Sequence, residues 1–177
     1  MTEKIVIVDF GSQYTQLIAR RIREMQVYCE IVPYNKFRQE DSRTAADIKD
    51  THSPFGQEVK GVILSGSPCS VRGENAPRVN LEGIKGVLPL LGICYGAQYL
   101  AQFFGGSVEK SPTREYGRAM MNVRDDDDPL MAGLSASSQV WMSHGDTITA
   151  IPPTYRIIAS TEDVNIAAFR ISGEQTW

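Results

Sequence analysis

The sequence predicts an α/β protein, a mainly parallel β-sheet flanked by helices and carrying an antiparallel β extension. Three observations lead there. Residues 5–8 form a continuous apolar run of the kind a parallel strand shows when both its faces are buried, residues 28–32 and 62–64 are two more strand candidates, and residues 87–93 are a further buried-strand candidate. Helical periodicity follows the first and the last of these runs, as in β-α-β units. In the second half the segments shorten to 119–123, 139–142, 157–160 and 166–171, with turn clusters between them, which is the pattern of antiparallel strands.

In chain order, Ile5, Val6, Ile7 and Val8 make the first strand. Asp9, Phe10, Gly11 and Ser12 interrupt it, and Ser12 is the expected N-cap of the next helix. Tyr14, Leu17, Ile18, Ile22 and Met25 follow at helical spacing and predict its buried face, with Arg20, Arg21, Arg23 and Glu24 on the others. Residues 35–60, between the second and third strands, are polar and aperiodic and read as a surface excursion. The strand at 87–93 runs directly into Gly92-Ile93-Cys94-Tyr95-Gly96. Ala97, Leu100, Ala101, Phe103 and Phe104 then mark a helix closed by Gly105 and Gly106. Asp125 to Asp128 read as a solvated turn. The strand at 166–171 predicts a hairpin across Ser172 and Gly173, but only Glu174, Gln175, Thr176 and Trp177 follow. A strand usually needs about five or six residues. The hairpin is therefore expected to be cut off and the sequence to be a fragment.

At 177 residues the chain reads as one domain, or one with a small appendage. Its 42% hydrophobic content is enough to build a core without disulfides or metals. Lys plus Arg is 18 against 21 Asp plus Glu, a net charge of −3, which excludes a strong binder of nucleic-acid phosphates. No apolar run approaches the ~18–20 residues of a membrane helix. The N-terminus lacks the apolar stretch of about 7–15 residues that a signal peptide needs. The expectation is a cytoplasmic protein that binds neither membrane nor nucleic acid. Three cysteines without a CxxC pair and two histidines give no basis for a zinc site or a disulfide framework, so no metal is expected.

Cys94 is the sharpest chemical candidate. Gly92 and Gly96 flank it symmetrically between a buried strand and a helix, as small residues flank the nucleophile of Gly-x-Ser-x-Gly hydrolases. A helix N-terminus at that position stabilises a thiolate, and the Tyr95 amide can donate to a developing oxyanion. A buried structural cysteine is the alternative, since that is the usual state of a free thiol. Gly66, at the end of the third strand, offers a second oxyanion donor, or else belongs to an ordinary strand-to-loop turn. Cys69 has no comparable setting. His52 lies in the excursion, so residues alone compose the triad Cys94–His144–Asp146, with His144 in a surface turn as the alternative.

These residues add up to a resemblance. Residues 87–98, with Pro89-Leu90-Leu91-Gly92-Ile93-Cys94-Tyr95-Gly96-Ala97-Gln98, resemble the nucleophile elbow of class I (triad-type) glutamine amidotransferases, and residues 63–68 resemble their oxyanion strand. Three further segments resemble the branch of that family attached to GMP synthetases: Asp9-Phe10-Gly11-Ser12-Gln13-Tyr14-Thr15-Gln16, Arg114-Glu115-Tyr116-Gly117 and Trp141-Met142-Ser143-His144-Gly145-Asp146. The glutaminases of carbamoyl-phosphate synthetase and anthranilate synthase share the elbow and differ at the first and last of these.

The resemblance implies a flavodoxin-like sandwich with helices on both faces of the sheet, and a glutaminase domain spanning 1–177 that is incomplete at its C-terminus. It implies Cys94 as nucleophile, the Gly66 and Tyr95 amides as oxyanion donors, and Gln98, Ser143, His144, Gly145 and Asp146 as residues holding glutamine. The ammonia would aminate XMP to GMP in an ATP-pyrophosphatase domain absent from this chain. That domain would use ATP and magnesium, whereas none is implied here, and a dimerisation domain would make the full-length protein a homodimer. No Gly-rich phosphate loop followed by Lys and Ser or Thr occurs in the sequence.

Two departures stand out. Ser67 occupies the place of the second glycine in the family's Ser-Gly-Gly-Pro segment. The family's catalytic His and Glu belong to a strand expected beyond Trp177, which moves the base away from His144 and predicts poor turnover by this chain alone. Two other readings remain: a stand-alone cysteine hydrolase using Cys94, His144 and Asp146, and a catalytically dead glutamine-binding module.

Overall fold

A computed structural model describes residues 3–36, 59–81 and 84–177, with only the backbone at 112–115. The chain divides into two compact units, Met1–Ala97 with Glu174–Thr176, and Gln98–Gly173 with Trp177. In order the elements are β1 (Lys4–Asp9), α1 (Thr15–Glu24), β2 (Tyr28–Pro33), a 3-10 turn (Tyr34–Lys36), β3 (Val59–Leu64), β4 (Leu90–Gly92), α2 (Tyr95–Phe103), β5 (Ser107–Val123), β6 (Ser137–Ala150), β7 (Tyr155–Ser160) and β8 (Ala168–Ile171). The α/β class is as predicted. The excursion at 35–60 falls mostly on 37–58, outside the described residues, as does His52; residues 59 and 60 belong to β3.

The first unit holds a parallel sheet in the order β2-β1-β3-β4. Its centre is β1, where Val6, Ile7 and Val8 are fully buried, and Ile7 lies in register with Ile31 on one side and Ile63 on the other. An all-apolar run suits such a strand because neither face meets water.

Helix α1 turns a different stripe to the sheet from the one its spacing predicts. Thr15, Ala19 and Ile22 are buried and Ile18 is partly so, whereas Tyr14, Leu17 and Met25 are exposed. The cause lies at its start. Ser12 is not the N-cap; that position falls to Tyr14, which makes no side-chain cap. The Ser12 Oγ accepts the Tyr14 N–H at 3.1 Å, while Asp9 Oδ1 accepts the Gly11 N–H at 2.9 Å and the Thr15 hydroxyl at 2.8 Å. Asp9 thereby fixes Thr15 inward, and Ala19 and Ile22 follow at i+4 and i+7 to meet Ile7 and Cys29.

Strand β4 is shorter than the predicted 87–93. The Lys85 and Leu88 N–H groups donate to Leu81 and Ile84 carbonyls in a helical turn before Pro89, leaving three strand residues. The chain end also departs from expectation. Glu174–Thr176 does not return along β8. The Leu90 N–H donates to the Gln175 carbonyl at 2.8 Å, Leu90 pairs in parallel with Thr176, and Lys85 binds Glu174 at 2.5 Å. The outer edge of β4 is thus partly covered, which an apolar parallel strand requires.

The second unit is an antiparallel sheet in the order β6-β5-β7-β8. Among the described residues it has four strands, and it is the antiparallel extension that the sequence predicts. β5 runs for 17 residues and β6 for 14, far beyond 119–123 and 139–142. Along β6 Trp141, Ser143 and Gly145 are exposed, Met142 and His144 half-buried and Asp146 buried, an alternation that lets a ladder continue through polar sequence. Gly105 and Gly106 close α2 as predicted: Gly105 has φ +90°, and the Gly106 N–H donates to the Ala101 carbonyl at 2.8 Å.

Asp128 is not part of a solvated turn. It is fully buried, accepting the Leu130 N–H at 2.9 Å and the Trp177 indole N–H at 3.0 Å and pairing with Arg170 at 3.2 Å. Among the described residues no helix is long and apolar enough to cross a membrane.

Candidate active site

The parallel unit builds an elbow around Cys94. β4 ends at Gly92 and α2 begins at Tyr95, so the direction of the chain changes over two residues. Cys94 absorbs that change with φ +53°, a left-handed conformation that costs a non-glycine residue about 1–2 kcal/mol. The turn is tied to the end of β3: the Ile93 N–H donates to Leu64 O at 2.9 Å and the Gly96 N–H to Ser65 O at 3.1 Å. Both flanking glycines are required by close approach. A Cβ on Gly92 would lie 2.7 Å from the Ala97 nitrogen, and one on Gly96 would lie 2.6 Å from Leu64 Cβ and closer still to Leu64 O. Cys94 is exposed and outside any disulfide, so its placement is not that of a buried structural cysteine; Cys29 is the buried one.

Gly66 stands beside this elbow. A Cβ placed on it would be 3.8 Å from Cys94 Cβ and 3.3 Å from the Ser12 Oγ. Gly66 is buried, yet its N–H has no acceptor among the described residues. Buried backbone donors are almost always paired, so an open one next to a candidate nucleophile is a feature of chemical interest. Tyr95, whose amide follows the nucleophile, is 1% exposed, and its hydroxyl donates to Pro77 O at 2.5 Å.

The antiparallel unit carries the remaining candidates. Gln98 on α2 is buried, and its Nε2 donates to the Asp146 carbonyl at 2.9 Å, which brings two predicted residues together. Ser143, His144, Gly145 and Asp146 lie within strand β6, so His144 is half-buried on a strand rather than in a surface turn. Opposite them β5 is irregular: Lys110 pairs with Asp146 and Glu115 with His144, with the extra β5 residues bulging between. Bulges of this kind re-aim side chains and are over-represented beside active sites.

Cys69 is exposed on a turn whose N–H donates to Ser67 Oγ. The carboxylates of Asp125, Asp126 and Asp127 approach one another, but Asp125 is committed to Arg156 at 2.7 Å. Sequence reasoning missed the side chains around the elbow. Phe10 is 2% exposed, packs its ring on Tyr95 with centroids 5.1 Å apart, and donates its N–H to Ser65 Oγ at 3.1 Å. Asp9-Phe10-Gly11-Ser12 was available as the signal, although nothing in it discloses the contact with residues 65 and 95.

Cys94 is thus held in a strained conformation between a parallel strand and a helix of an α/β unit, beside an open backbone donor. The chain belongs to the class-I glutamine amidotransferase family, whose family model matches residues 6–176. Among curated proteins it is 55% identical over 177 residues to the GMP synthase (glutamine-hydrolyzing) of Cytophaga hutchinsonii, and 56% identical over 178 residues to that of Bacteroides fragilis. Each alignment covers 100% of this chain and 32% of the relative, so the chain spans about a third of their length. Among solved structures it is similar to a candidate GMP synthase subunit from Thermoplasma acidophilum, with TM-score 0.78 and 26% identity over 99% of this chain and 81% of that one. The fold is accordingly the flavodoxin-like α/β fold of class I amidotransferases.

Proposed function

We propose that the chain is the glutaminase part of a GMP synthase, hydrolysing glutamine to glutamate and ammonia. The observation that carries this reading is Cys94 at φ +53° at the head of α2, with the open Gly66 N–H beside it. Helix N-terminal N–H groups favour a thiolate. The Cys94 sulfur attacks the side-chain carboxamide carbon of glutamine, and the Gly66 and Tyr95 amides hold the resulting oxyanion. The carbon–nitrogen bond breaks, the leaving nitrogen takes a proton, and water then cleaves the γ-glutamyl thioester through a second tetrahedral oxyanion. Gln98, Ser143, His144, Gly145 and Asp146 hold the substrate, with Asp146 pairing the α-ammonium group.

The base that moves the protons is a histidine oriented by a glutamate, both beyond Trp177. The ammonia is consumed in a synthetase part that adenylates XMP. ATP and magnesium belong to that part, and no step on these residues passes through them. The working protein is cytoplasmic and homodimeric.

The test is ammonia release from glutamine by this chain and by the chain extended through the following strand, each beside Cys94→Ala and His144→Ala. Turnover that depends on the extension and on Cys94, and survives His144→Ala, supports the reading. Full turnover by the 177 residues, abolished by either substitution, refutes the assignment of the base.

A further inference from the structure

β5 and β6 pair antiparallel, so alternate residues of the two strands share a face. Met142 and His144 turn to the half-buried side, whereas Tyr116, Arg118 and Met120 on β5 and Gln139, Trp141 and Ser143 on β6 are exposed on the other. Arg118 is in register with Trp141, Tyr116 with Ser143 and Met120 with Gln139. Trp141 therefore stands at the centre of this face, with Arg118 opposite and Tyr116 and Met120 on its two diagonals, about 7–8 Å away and within reach of large side chains. Trp141 is 74% exposed, Tyr116 64% and Met120 52%. Among the described residues the Arg118 guanidinium has no ion pair, and the Trp141 indole N–H and the Tyr116 hydroxyl have no hydrogen bond. Folding gives no reason to gather three large apolar side chains around an unpaired cation in water. Trp, Tyr, Met and Arg are instead the residues enriched at protein–protein interfaces, and Trp, Tyr and Arg dominate the binding energy there. The glutamine chemistry set out above leaves all four side chains unused.

Three observations select what covers them. The chain spans 32% of its curated relatives, so about two thirds of their length lies outside it. A partner on the same polypeptide is held at high effective concentration, so a small patch is enough to seat it. Trp141 also belongs to a segment at which the glutaminases of carbamoyl-phosphate synthetase and anthranilate synthase differ from this branch. Glutamine is common to all of them, and the synthetase is what changes. Finally, Ser143 on the same face is one of the residues proposed to hold glutamine, so a partner seated here lies beside the source of ammonia.

We propose that the exposed face of the β5–β6 pair, centred on Trp141 with Arg118, Tyr116 and Met120 around it, is the docking surface for the synthetase part of the same polypeptide. That part meets it with an apolar recess for the indole and a carboxylate for Arg118. The proposal rests on the glutaminase reading above.

The test uses the full-length synthase and two readouts. The first is the rate at which a maleimide labels Gln139→Cys, at the rim of the face, against Leu134→Cys, an exposed site elsewhere in the same unit. Docking should slow Gln139→Cys by about tenfold or more relative to Leu134→Cys, and adding Trp141→Ala or Arg118→Glu should abolish that protection. The second is the ratio of GMP formation supported by glutamine to that supported by ammonium. Trp141→Ala and Arg118→Glu should each lower the ratio by about tenfold, while ammonium-supported synthesis stays within about twofold, as for a surface change that leaves the fold intact. Equal labelling of Gln139→Cys and Leu134→Cys overturns the proposal, as does a ratio unchanged in both variants. Ammonium-supported synthesis that falls in step with the glutamine-supported rate also overturns it, because the damage is then general. Protection lost on dilution, or variants that halve the sedimenting mass and keep the ratio, assigns the face to a second copy of the chain and overturns the proposal as well. A parent that makes no GMP from glutamine overturns the glutaminase reading and this proposal with it, whereas an active parent with an unprotected Gln139→Cys overturns this proposal alone.

Discussion

Substituting Gly96→Ala tests whether the elbow is held as tightly as its geometry demands. The new Cβ would lie 2.6 Å from Leu64 Cβ and 2.9 Å from Leu64 C, against about 3.5–4.0 Å for relaxed carbon contacts. Leu64 is fully buried and in register with Val8, and the next N–H along is bonded to Val8 O, so β3 cannot yield. The movement of about an ångström therefore falls on the elbow and breaks the Ile93–Leu64 and Gly96–Ser65 hydrogen bonds. Two such bonds contribute about 1 kcal/mol each. Overpacking adds about 1–3 kcal/mol, and the better helix propensity of alanine returns about 1 kcal/mol. The expected loss is about 2–4 kcal/mol, a melting temperature lower by about 5–15 °C for a chain of this size. Thermal unfolding followed by circular dichroism measures it, with Gly133→Ala as comparison. Gly133 also has positive φ (+81°), but nothing lies within 4 Å, so its cost is limited to backbone strain of about 1–2 kcal/mol. A Gly96→Ala protein melting within about 2 °C of the parent, or no lower than Gly133→Ala, would refute the packing argument.

Two further outcomes follow from the same reasoning. Asp128→Ala strands Arg170, the Leu130 N–H and the Trp177 indole together, and should cost about 3–5 kcal/mol, with a red shift of Trp177 emission that the already exposed Trp141 cannot produce; unchanged emission and stability would count against the anchor. The Lys4 ammonium, hydrogen-bonded at 2.9 Å, holds the Glu30 carboxyl below the usual carboxylate range, so the pair stabilises the fold above the unfolded carboxylate pKa and loses that contribution as pH falls through the lower folded value. Glu30 is about a third exposed, and Lys4→Met should therefore cost only roughly 0.5 kcal/mol at neutral pH, a gap that urea titrations should find closing on acidification; a gap that widens below pH ~4 would reverse the sign of the argument.

What the sequence disclosed and what it withheld divide along the distance between interacting residues. The run from Ile5 to Val8, the Gly105–Gly106 stop and the Gly-x-Cys-x-Gly elbow are local features, and each appears where its residues place it. The buried face of α1 departs from its apolar spacing because Asp9 and Thr15, both polar, set its rotation. β5 and β6 extend beyond their apolar cores because each supplies the other's hydrogen bonds through Arg118, Ser143 and other polar positions, which no window on one strand contains. At the site, glycine spacing drew attention to Cys94, whereas Gly66 was favoured over an ordinary turn only through the family resemblance. The Phe10–Ser65 bond joins residues 55 apart and the Gln98–Asp146 bond residues 48 apart, so neither leaves a local trace.

The placement of Glu174–Thr176 beside β4 also bears on how the chain is made. The Lys85–Glu174 bond spans 89 residues, and the whole antiparallel sheet is encoded between its ends. At a synthesis rate of about 5–20 residues per second, β4 leaves the ribosome roughly 4–18 s before its neighbour exists. For that interval the nascent parallel sheet carries an apolar strand with an unsatisfied edge, the kind of surface that chaperones bind and that pairs wrongly with other chains. The antiparallel sheet, contiguous in sequence, can form during this wait. Completion of the unit that carries Cys94 is thereby deferred until the segment after Gly173 is translated.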